Sequence, residues 1–290
     1  MIFLAKIRNY LSLIKFSHTI FAMPFAIIGF FMGLKANNNS INFKFLFFVI
    51  LCMVFARNAA MAFNRYIDRS FDLLNPRTMN RELPAKKLKS NAVLVFIILN
   101  CILFVTTTYF INKLCFLLSP VALIAVLGYS YTKRFTFLSH FFLGIALSLA
   151  PIGAYIAVCS RFGLIPVLLS LSVLFWVSGF DIIYALQDME YDKKSNLNSI
   201  PAKMGFINAR LFAIIIHFLS LLLLIIIGIL MKPESYFYYT GLVFFIFLIA
   251  FQHIIVGKYG LKKINTAFFT LNGIASILFA VFTCIELYFF

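Results

Sequence analysis

The sequence predicts an all-α, polytopic membrane protein with nine transmembrane helices, and its composition, span lengths and charge placement each support this. Of the 290 residues, 63% are hydrophobic and 12% are charged, whereas ordinary globular domains have roughly 45–50% apolar and 25% charged residues. A bilayer accepts such a composition if the backbone forms helices or a closed barrel. The formal charge of +16 is typical of nucleic-acid binders, but the apolar content excludes that class, so we expect no nucleic-acid partner.

Nine uninterrupted apolar stretches are long enough to cross a membrane, because about 20 helical residues span the hydrocarbon core. They cover residues 18–34, 45–63, 92–111, 114–131, 138–159, 164–186, 208–230, 236–256 and 266–287. The third and fourth stretches are separated only by Asn112 and Lys113, which predicts a tight turn between two helices. The first stretch follows Lys6, Arg8 and Lys15 without a small-residue cleavage site, so we expect it to stay in the mature protein rather than act as a signal peptide.

The cations predict the orientation of the spans, because Lys and Arg accumulate in cytoplasmic connections. With nine spans, 20 of the 25 Lys and Arg residues fall on the side of the N-terminus and five on the other side. We therefore expect the N-terminus in the cytoplasm and the C-terminus outside. The five cysteines and the four histidines, His140 among them, show no ligand spacing, and we expect them to be ordinary core or interface residues.

Seven of the nine acidic residues fall on the same side as most of the cations, which the orientation rule does not require. The first acidic group is Asn64, Asp68 and Asp72, at positions i, i+4 and i+8. On a helix this spacing places three oxygen-bearing side chains along one face over two turns. Because Asp68 and Asp72 repel each other and lose hydration near a bilayer, we expect cations to neutralise them.

The second acidic group is Asp181, Asp188 and Asp192, at positions i, i+7 and i+11. On a helix these positions fall within roughly 20° of one line. Carboxylate oxygens are hard ligands that suit Mg²⁺, which binds through one or two carboxylates and uses substrate phosphate oxygens and waters as further ligands. The two groups together therefore predict a magnesium site that holds a diphosphate.

The two acidic groups are related by position. Asp188 lies 120 residues after Asp68, and the next aspartate of each group keeps the same offset. We interpret this as an imperfect duplication within one membrane domain of residues 1–290, with halves of about 1–135 and 136–290. Two similar half-sites predict a single site between them, with carboxylates from both.

Basic residues between the acidic groups are candidates for clamping phosphate oxygens, Arg often in bidentate fashion. These residues are Arg77, Arg81, Lys133, Arg134 and Lys203. A single cation in such a connection is also typical of an orientation signal alone, and a single Asp–Arg pair is typical of a solvated surface bridge. Repeated helical spacing, a shared side and surrounding cations together favour the diphosphate site.

Three spaced motifs stand out along the chain. They are Asn64-x-x-x-Asp68-x-x-x-Asp72 followed by Arg77-Thr78, Tyr129-Ser-Tyr131-Thr-Lys133-Arg134-Phe-Thr136, and Asp181-x-x-Tyr184-Ala185-x-x-Asp188-x-x-x-Asp192. Together they resemble the UbiA superfamily of intramembrane aromatic prenyltransferases, in its 4-hydroxybenzoate polyprenyltransferase branch. The resemblance covers nearly the whole chain, including the nine spans.

The resemblance implies a nine-span helical bundle around a lipid-facing cavity, with both aspartate motifs at its cytoplasmic end, in the inner (plasma) membrane of a bacterium. It implies Mg²⁺ as cofactor, with a polyprenyl diphosphate, an aromatic acid and membrane lipid as partners, in ubiquinone or menaquinone biosynthesis. Departure of the diphosphate would leave an allylic cation, which aromatic faces shield through cation–π contact until a ring carbon attacks it.

The resemblance also implies roles for individual residues. The catalytic residues would be Asp68, Asp72, Asp188 and Asp192. The metal ligands would be Asn64, Asp68, Asp72, Asp181, Asp188 and Asp192. The diphosphate would be bound by Asn64, Arg77, Lys133, Arg134 and Lys203. The residues that shield the allylic cation would be Tyr129 and Tyr184.

The sequence departs from the family pattern at three positions. Arg65 follows the motif Asn where many members have Asp, Glu82 stands in place of a Pro, and Asn198 in place of a Lys. A subgroup with the segments Asn-Arg-x-Ile-Asp-Arg and Asn-Pro-Arg-Thr resembles this chain and is tied to menaquinone made through futalosine. Both 4-hydroxybenzoate and a dihydroxynaphthoate are therefore candidate acceptors.

Three other classes share part of this pattern. A haem O synthase-type farnesyltransferase shares the first motif and the architecture, but the segment from Tyr184 to Asp188 favours the quinone branch. A CDP-alcohol phosphotransferase also uses membrane aspartates and a metal, but its Asp-Gly-x-x-Ala-Arg signature is absent from this sequence. A secondary transporter can hold acids in repeated halves, but such sites lie near the midplane, whereas these acids lie at one membrane end.

Overall fold

The computed structural model describes residues 2–14, 21–38 and 43–290, with side chains described from residue 7 onward within these ranges. All regular secondary structure in these residues is helical, which confirms the all-α prediction. The helices are α1 (Ile2–Leu13), α2 (Met23–Ala36), α3 (Phe43–Ile67), α4 (Arg69–Leu74), α5 (Ser90–Ile111), α6 (Lys113–Thr132), α7 (Ser139–Cys159), α8 (Leu164–Ala185), α9 (Met189–Lys194), α10 (Ile200–Met231), α11 (Phe237–Tyr259) and α12 (Asn272–Phe289), with 3₁₀ turns at Leu186–Asp188 and Gly260–Lys263 and a π-helical turn at Thr266–Leu271.

The described part of the chain contains eight helical segments that are long and apolar enough to cross a membrane. They are α3, α5, α6, α7, α8 with α9, α10, α11 with the 3₁₀ turn after it, and the π turn with α12. A shorter apolar helix, α2, precedes them and falls in the first predicted span. The predicted start of that span, His18, and Lys15 lie outside the described residues, as does the side chain of Lys6. The architecture agrees with the nine predicted spans.

Asn112 forms the tight turn that the short gap between the third and fourth predicted spans indicates. Its backbone is extended (φ −164°, ψ 166°), so the chain passes directly from α5 to α6. Its side-chain oxygen accepts a hydrogen bond from the N–H of Cys115 at 2.8 Å, and its amide nitrogen donates to the carbonyl oxygens of Ile156 and Ala157 at 2.9 and 3.2 Å. One side chain therefore caps α6 and fastens the turn to the end of α7.

Helix α10 begins at Ile200, earlier than the predicted start at residue 208. The side-chain oxygen of Ser199 accepts a hydrogen bond from a backbone N–H of the first turn at 3.2 Å, and Pro201 is suited to that turn because it needs no partner for a backbone N–H there. Gly205 then interrupts the helix with φ 77° and ψ 173°, a conformation that glycine adopts most readily. The cap at Ser199 and the backbone at Pro201 set the start of α10, and a hydropathy pattern does not predict either feature.

Close packing of backbones and aromatic rings builds the core. At Gly29, α2 approaches α7 so closely that an added Cβ would lie 2.1 Å from the carbonyl oxygen of Pro151, and small residues allow such contact between transmembrane helices. Trp176 of α8 lies 5.1 Å from Phe25 and 4.9 Å from Phe180, between ring centroids. Helix α8 packs along α7 and α10, and α3 packs along α5 and α6, so α3, α5, α6 and α7 enclose a separate space.

Glu286 is a buried carboxylate of α12 that caps the start of α11. It is 0% exposed. It accepts hydrogen bonds from the backbone N–H and the hydroxyl of Ser235 at 3.2 and 2.5 Å, and from the backbone N–H of Tyr238 at 3.5 Å. The first N–H groups of a helix have no partner within the helix, so this carboxylate satisfies donors that would otherwise be buried without an acceptor.

We expect Glu286→Ala to lower the free energy of unfolding by about 2 kcal/mol, because buried donors lose a charged acceptor. Thermal unfolding in detergent, followed by circular dichroism, measures the change. Glu234→Ala is the matched control, since Glu234 is an exposed glutamate next to the same helix start. Equal unfolding temperatures for the two variants would contradict the capping role of Glu286.

Candidate functional site

A cavity of about 1040 Å³ lies between α3, α5, α6 and α7 and reaches the end of α8 and the π turn. Both acidic groups of the sequence line its polar end. The wall contributed by α3 runs from Val49 to Arg65, which is about 24 Å of helix. Away from the acidic groups, apolar and small residues such as Met53, Phe104 and Ala150 line the wall. Charged groups and a long, largely apolar space therefore share one enclosure.

The first acidic group lies where α3 passes into α4. The backbone of Asp68 (φ −87°, ψ 3°) departs from helical geometry between the two helices. Hydrogen bonds from the N–H of Asp68 to the carbonyl of Asn64 at 2.9 Å, and from the N–H of Asp72 to the carbonyl of Asp68 at 2.8 Å, keep the helical spacing. All three side chains line the cavity, so the predicted common face persists across a bend.

Asp68 is 2% exposed and contacts two cations from the connection between α6 and α7. Lys133 Nζ lies 3.0 Å from Oδ2, and Arg134 Nη2 lies 3.3 Å from Oδ1. The amide of Asn64 donates to Oδ2 at 3.2 Å. Arg134 also donates to the carbonyl oxygen of Ile67 at 3.0 Å, at the C-terminal end of α3, where the helix dipole favours a positive charge.

Asp72 is 6% exposed and lies between two arginines. Arg81 Nη1 is 2.7 Å from Oδ1, and Arg65 Nη1 is 4.0 Å from Oδ2. Oδ2 is buried and accepts no hydrogen bond from the residues that the structure describes. Glu82 is also buried and accepts a hydrogen bond from the hydroxyl of Ser12. Arg65, one of the departures from the family pattern, therefore adds a buried positive charge beside the first acidic group.

The second acidic group does not lie on one continuous α-helix, which its three side chains would need in order to share the line that their spacing indicates. Helix α8 ends at Ala185, a 3₁₀ turn carries Asp188, and α9 carries Asp192. A 3₁₀ turn has three residues per turn rather than 3.6, so it rotates the residues after it away from the line that the spacing indicates. Asp181, Asp188 and Asp192 nevertheless all line the same cavity as the first group.

Asp188 forms a two-point contact with Arg77. Arg77 Nε donates to Oδ1 at 2.8 Å and Nη2 donates to Oδ2 at 2.5 Å, while the amide of Asn75 donates to Oδ1 at 3.4 Å. Arg77 Cζ also lies 5.6 Å from the ring centroid of Tyr184. Burial disfavours the charge of Arg77, but the hydrogen bond and the negative charge of Asp188 outweigh it, so the pKa of Arg77 lies above its usual value.

His140 contacts the remaining acid, Asp181, although its sequence position gives no sign of a role. Its Nδ1 lies 2.7 Å from Asp181 Oδ2, and the residue is 4% exposed and lines the cavity. Its Nε2 is buried and has no hydrogen-bond partner within the described ranges. The two residues are 41 positions apart, on α7 and α8, so no local motif could reveal the pair.

Further contacts hold the two acidic segments together. The hydroxyl of Tyr191, in α9, donates to the carbonyl oxygen of Phe71, in α4, at 2.6 Å. The backbone N–H of Asn198 donates to the carbonyl oxygen of Lys133 at 2.7 Å. These bonds join segments that are far apart in the sequence, and they bring both predicted groups and their cations to one end of the cavity.

Of the other predicted residues, some line the cavity, whereas Lys203 and Arg134, the latter in contact with Asp68, do not. Tyr129 and Tyr184 line the cavity. Lys203 does not line it, because it is exposed on the first turn of α10, with Nζ 3.6 Å from the ring centroid of Phe137. Arg57, which the sequence pattern marks only as an orientation signal, does line the cavity.

Within the described residues, no three His, Cys, Asp or Glu side chains lie close enough together to hold a metal ion on their own. The carboxylates of Asp68, Asp72 and Asp188 instead each contact a cation from another segment. These hard oxygen donors line the same space, so a divalent ion bound there would need further oxygen ligands. The arrangement therefore suits an anionic ligand that brings oxygens of its own.

The membrane-spanning helices surround a cavity that is charged at one end and largely apolar in the rest. This arrangement defines a class of intramembrane proteins that suit a ligand with an anionic head and an apolar tail. A family model gives the particular family. The UbiA prenyltransferase family model matches residues 22–274, and the chain belongs to this family. The three motifs of the sequence indicate the same family.

Related proteins and structures support the assignment. The chain is 29% identical to a 4-hydroxybenzoate octaprenyltransferase of Francisella tularensis subsp. novicida, over 81% of this chain and 82% of the relative. It is 31% identical to a protein of the same name from Tolumonas auensis, over 77% and 78%. The apo structure of a UbiA homolog from Aeropyrum pernix matches with a TM-score of 0.83 and 25% identity, over 91% of this chain and 96% of that chain.

A second solved structure shares the fold at lower identity. It is a UbiA homolog from Archaeoglobus fulgidus bound to DMAPP and Mg²⁺, with a TM-score of 0.74 and 20% identity, over 95% of this chain and 97% of that chain. The family model, the relatives and both structures agree on an integral membrane protein of the prenyltransferase fold.

We expect Tyr191→Phe to lower the free energy of unfolding by about 1 kcal/mol, because the hydrogen bond to the carbonyl of Phe71 is lost while the ring is kept. Thermal unfolding in detergent measures the change. Tyr259→Phe is the matched control, since Tyr259 is 48% exposed. If the two variants unfold at the same temperature, the Tyr191 bond does not hold the acidic segments together.

Proposed function

We propose that the protein transfers a polyprenyl group from a polyprenyl diphosphate to the ring of an aromatic acid, in a Mg²⁺-dependent reaction. The observation that carries this proposal is the division of one cavity into a charged end and a largely apolar remainder, which matches the two parts of a polyprenyl diphosphate. The names of the Francisella and Tolumonas relatives support 4-hydroxybenzoate as the acceptor. The subgroup motif that contains Arg65 supports a dihydroxynaphthoate, so both acids belong in the test.

The acidic groups fit Mg²⁺ by the chemistry of their donors. They offer carboxylate and amide oxygens, and Asp72 Oδ2 accepts no hydrogen bond from the described residues. The proposed ligands are Asn64, Asp68, Asp72, Asp181, Asp188 and Asp192. The Archaeoglobus fulgidus structure of the same fold, bound to DMAPP and Mg²⁺, supports this choice. When bound, the ion would stabilise the negative charge that develops on the leaving diphosphate.

The cations of the site are placed to bind the oxygens of the diphosphate. Lys133 and Arg134 contact Asp68, and Arg77 contacts Asp188. Each can exchange a carboxylate oxygen for a phosphate oxygen without losing a charge-assisted hydrogen bond. Because these donors are already assembled at the polar end, they can stabilise the diphosphate as the bond to the prenyl carbon breaks.

The apolar part of the cavity would hold the polyprenyl chain, and aromatic rings would face the reacting carbon. Tyr184 lies beside Arg77, so its ring is next to the position proposed for the diphosphate. Tyr129 lies on the same cavity wall. Both rings can stabilise an allylic cation through their π faces until the acceptor ring carbon attacks and the ring loses its proton.

Arg57 is the residue that we propose for binding the carboxylate of the aromatic acid. It lies two turns before Asn64 on α3, and both residues line the cavity. Seven residues make about two helical turns, so the two side chains share one face. A cation within a spanning segment is costly and commonly functional, and a guanidinium suits a carboxylate through paired hydrogen bonds.

We also propose the orientation that the cations predict. The N-terminus would be cytoplasmic, the C-terminus outside, and the acidic groups at the cytoplasmic side of a bacterial inner membrane. The excess of Lys and Arg on the side of the N-terminus supports the orientation. The bacterial source of the relatives supports a bacterial inner membrane.

The purified protein should prenylate 4-hydroxybenzoate or a dihydroxynaphthoate only when Mg²⁺ is present, with one radiolabelled polyprenyl diphosphate as donor. Asp68→Ala and Asp188→Ala should each lower kcat/KM by about 100-fold or more, because a charge-stabilising group is lost. Glu190→Ala is the matched control, since Glu190 is an exposed acid on α9. Undiminished product formation by either aspartate variant would overturn the site assignment.

Arg57→Leu should raise KM for the aromatic acid by about tenfold or more, which is the effect of about 1.4 kcal/mol of lost binding. The KM for the polyprenyl diphosphate should change little, because its oxygens are bound at the other cations. Arg57→Lys keeps the charge but loses the paired hydrogen bonds, so an intermediate KM is expected. Steady-state kinetics with each substrate varied in turn measures both constants. Equal effects on the two constants would contradict the role of Arg57.

A further inference from the structure

Five aromatic side chains form a wall of the cavity next to the Arg77–Asp188 pair. They are Phe21, Phe180, Tyr184, Phe268 and Phe269, and we call them the aromatic wall. The rings of Tyr184 and Phe268 are stacked, with centroids 4.1 Å apart and an angle of 30° between planes. Phe269 meets Phe268 edge to face at 4.6 Å. The wall therefore begins at the charged end of the cavity, where Arg77 lies over the ring of Tyr184.

The two phenylalanines belong to the π-helical turn Thr266–Leu271. Phe268 and Phe269 are neighbours in this turn, and both line the cavity. A π turn inserts an extra residue into a helix, is rare, and occurs frequently at functional sites. Two of the five rings of the aromatic wall thus belong to this one turn.

Asn272 is bonded to this turn from the first residue of α12. It is 0% exposed. Its amide nitrogen donates to the carbonyl oxygens of Ala267 and Phe268, both at 3.1 Å, and its side-chain oxygen accepts from the indole N–H of Trp176 at 3.0 Å. A buried amide in a spanning segment is costly unless it is bonded, and here it bonds the π turn to the core helix α8.

We propose that Asn272 is a positioning residue for the reaction: it holds the π turn so that Phe268 and Phe269 close the aromatic wall against water. This rests on the proposed function. Asn272 does not line the cavity, and it acts through the two rings. Trp176 fixes Asn272 in turn, because its indole N–H holds the side-chain oxygen of Asn272.

The proposed reaction offers a readout that reports on the wall. When the bond between the prenyl carbon and the diphosphate oxygen breaks, the oxygen keeps the electron pair and the carbon becomes an allylic cation. If a ring carbon of the acceptor attacks, the ring loses a proton and the prenylated acid forms. If the oxygen of a water molecule attacks, that oxygen loses a proton and a prenol forms. The ratio of prenol to prenylated acid therefore measures how well the wall excludes water.

The experiment compares Asn272→Leu with Asn100→Leu in purified protein, using radiolabelled polyprenyl diphosphate, Mg²⁺ and the acceptor. Asn100 is a matched control, since it is a buried asparagine of α5 that donates to the carbonyl oxygen of Phe96 at 2.8 Å and does not line the cavity. For Asn272→Leu we expect the ratio of prenol to prenylated acid to rise about fivefold or more, the effect of one net hydrogen bond on a ratio of rates. For Asn100→Leu the wild-type ratio is expected.

A loss of folded protein lowers both products equally, so the ratio separates positioning from a general structural effect. An unchanged ratio in Asn272→Leu, or an equal rise in Asn100→Leu, would overturn the proposal. If Asn272→Leu yields no folded protein, the ratio of prenol to prenylated acid is measured for Trp176→Phe instead. This variant removes the indole N–H and keeps an aromatic ring. Wild-type protein that forms neither product would instead overturn the proposed function itself.

Discussion

The site depends on the pairing of carboxylates at one end of the membrane with cations from other segments. Asp68 and Asp72 are 2% and 6% exposed, and a charge buried to that extent is costly unless it is paired. Lys133 and Arg134 meet the first carboxylate, and Arg81 meets the second. Because the contacts of Lys133 and Arg134 with Asp68 join segments that are distant in sequence, these ion pairs help to determine how the loops lie over the mouth of the cavity.

The same pairing gives the site its chemical character. A buried ion pair is weak evidence for stability, because desolvation opposes the attraction between the charges. Its more direct consequence here is that cations and carboxylates are already assembled where a diphosphate head would enter. Arg77 contacts both Asp188 and Tyr184, so the charged end passes directly into the aromatic wall. The remaining cavity is largely apolar, and the order of charge, aromatic rings and apolar space follows the order of parts in a polyprenyl diphosphate.

Hydropathy was sufficient to predict most of the membrane architecture, because bilayer thickness constrains span length independently of packing. The turn at Asn112 could also be predicted, since only two residues separate the neighbouring apolar stretches. The spacing of Asn64, Asp68 and Asp72 predicted a common helical face, and backbone hydrogen bonds preserve it through the bend.

Other features depend on geometry that helical periodicity does not contain. The 3₁₀ turn that carries Asp188 changes the rotation of the second acidic group, and the start of α10 follows from capping at Ser199. The pair of His140 and Asp181 arises from packing between α7 and α8. Lys203 lies near the motifs in sequence, but its side chain packs over Phe137 outside the cavity. Local backbone geometry and capping decided the first two points and contacts between different segments decided the other two, so the periodicity of the sequence could not predict them.

We infer that two distant acidic segments form one site for a diphosphate with its metal ion. Calorimetric titration of inorganic diphosphate into the purified protein, with and without Mg²⁺, tests it most directly. We expect Mg²⁺ to raise the affinity for diphosphate by about tenfold or more, as a positive coupling between two ligands. Asp72→Asn and Asp188→Asn should each remove most of this coupling, because each changes one segment. Full coupling in either variant would contradict a site shared by both segments, because one segment would then hold the metal and the diphosphate without the other.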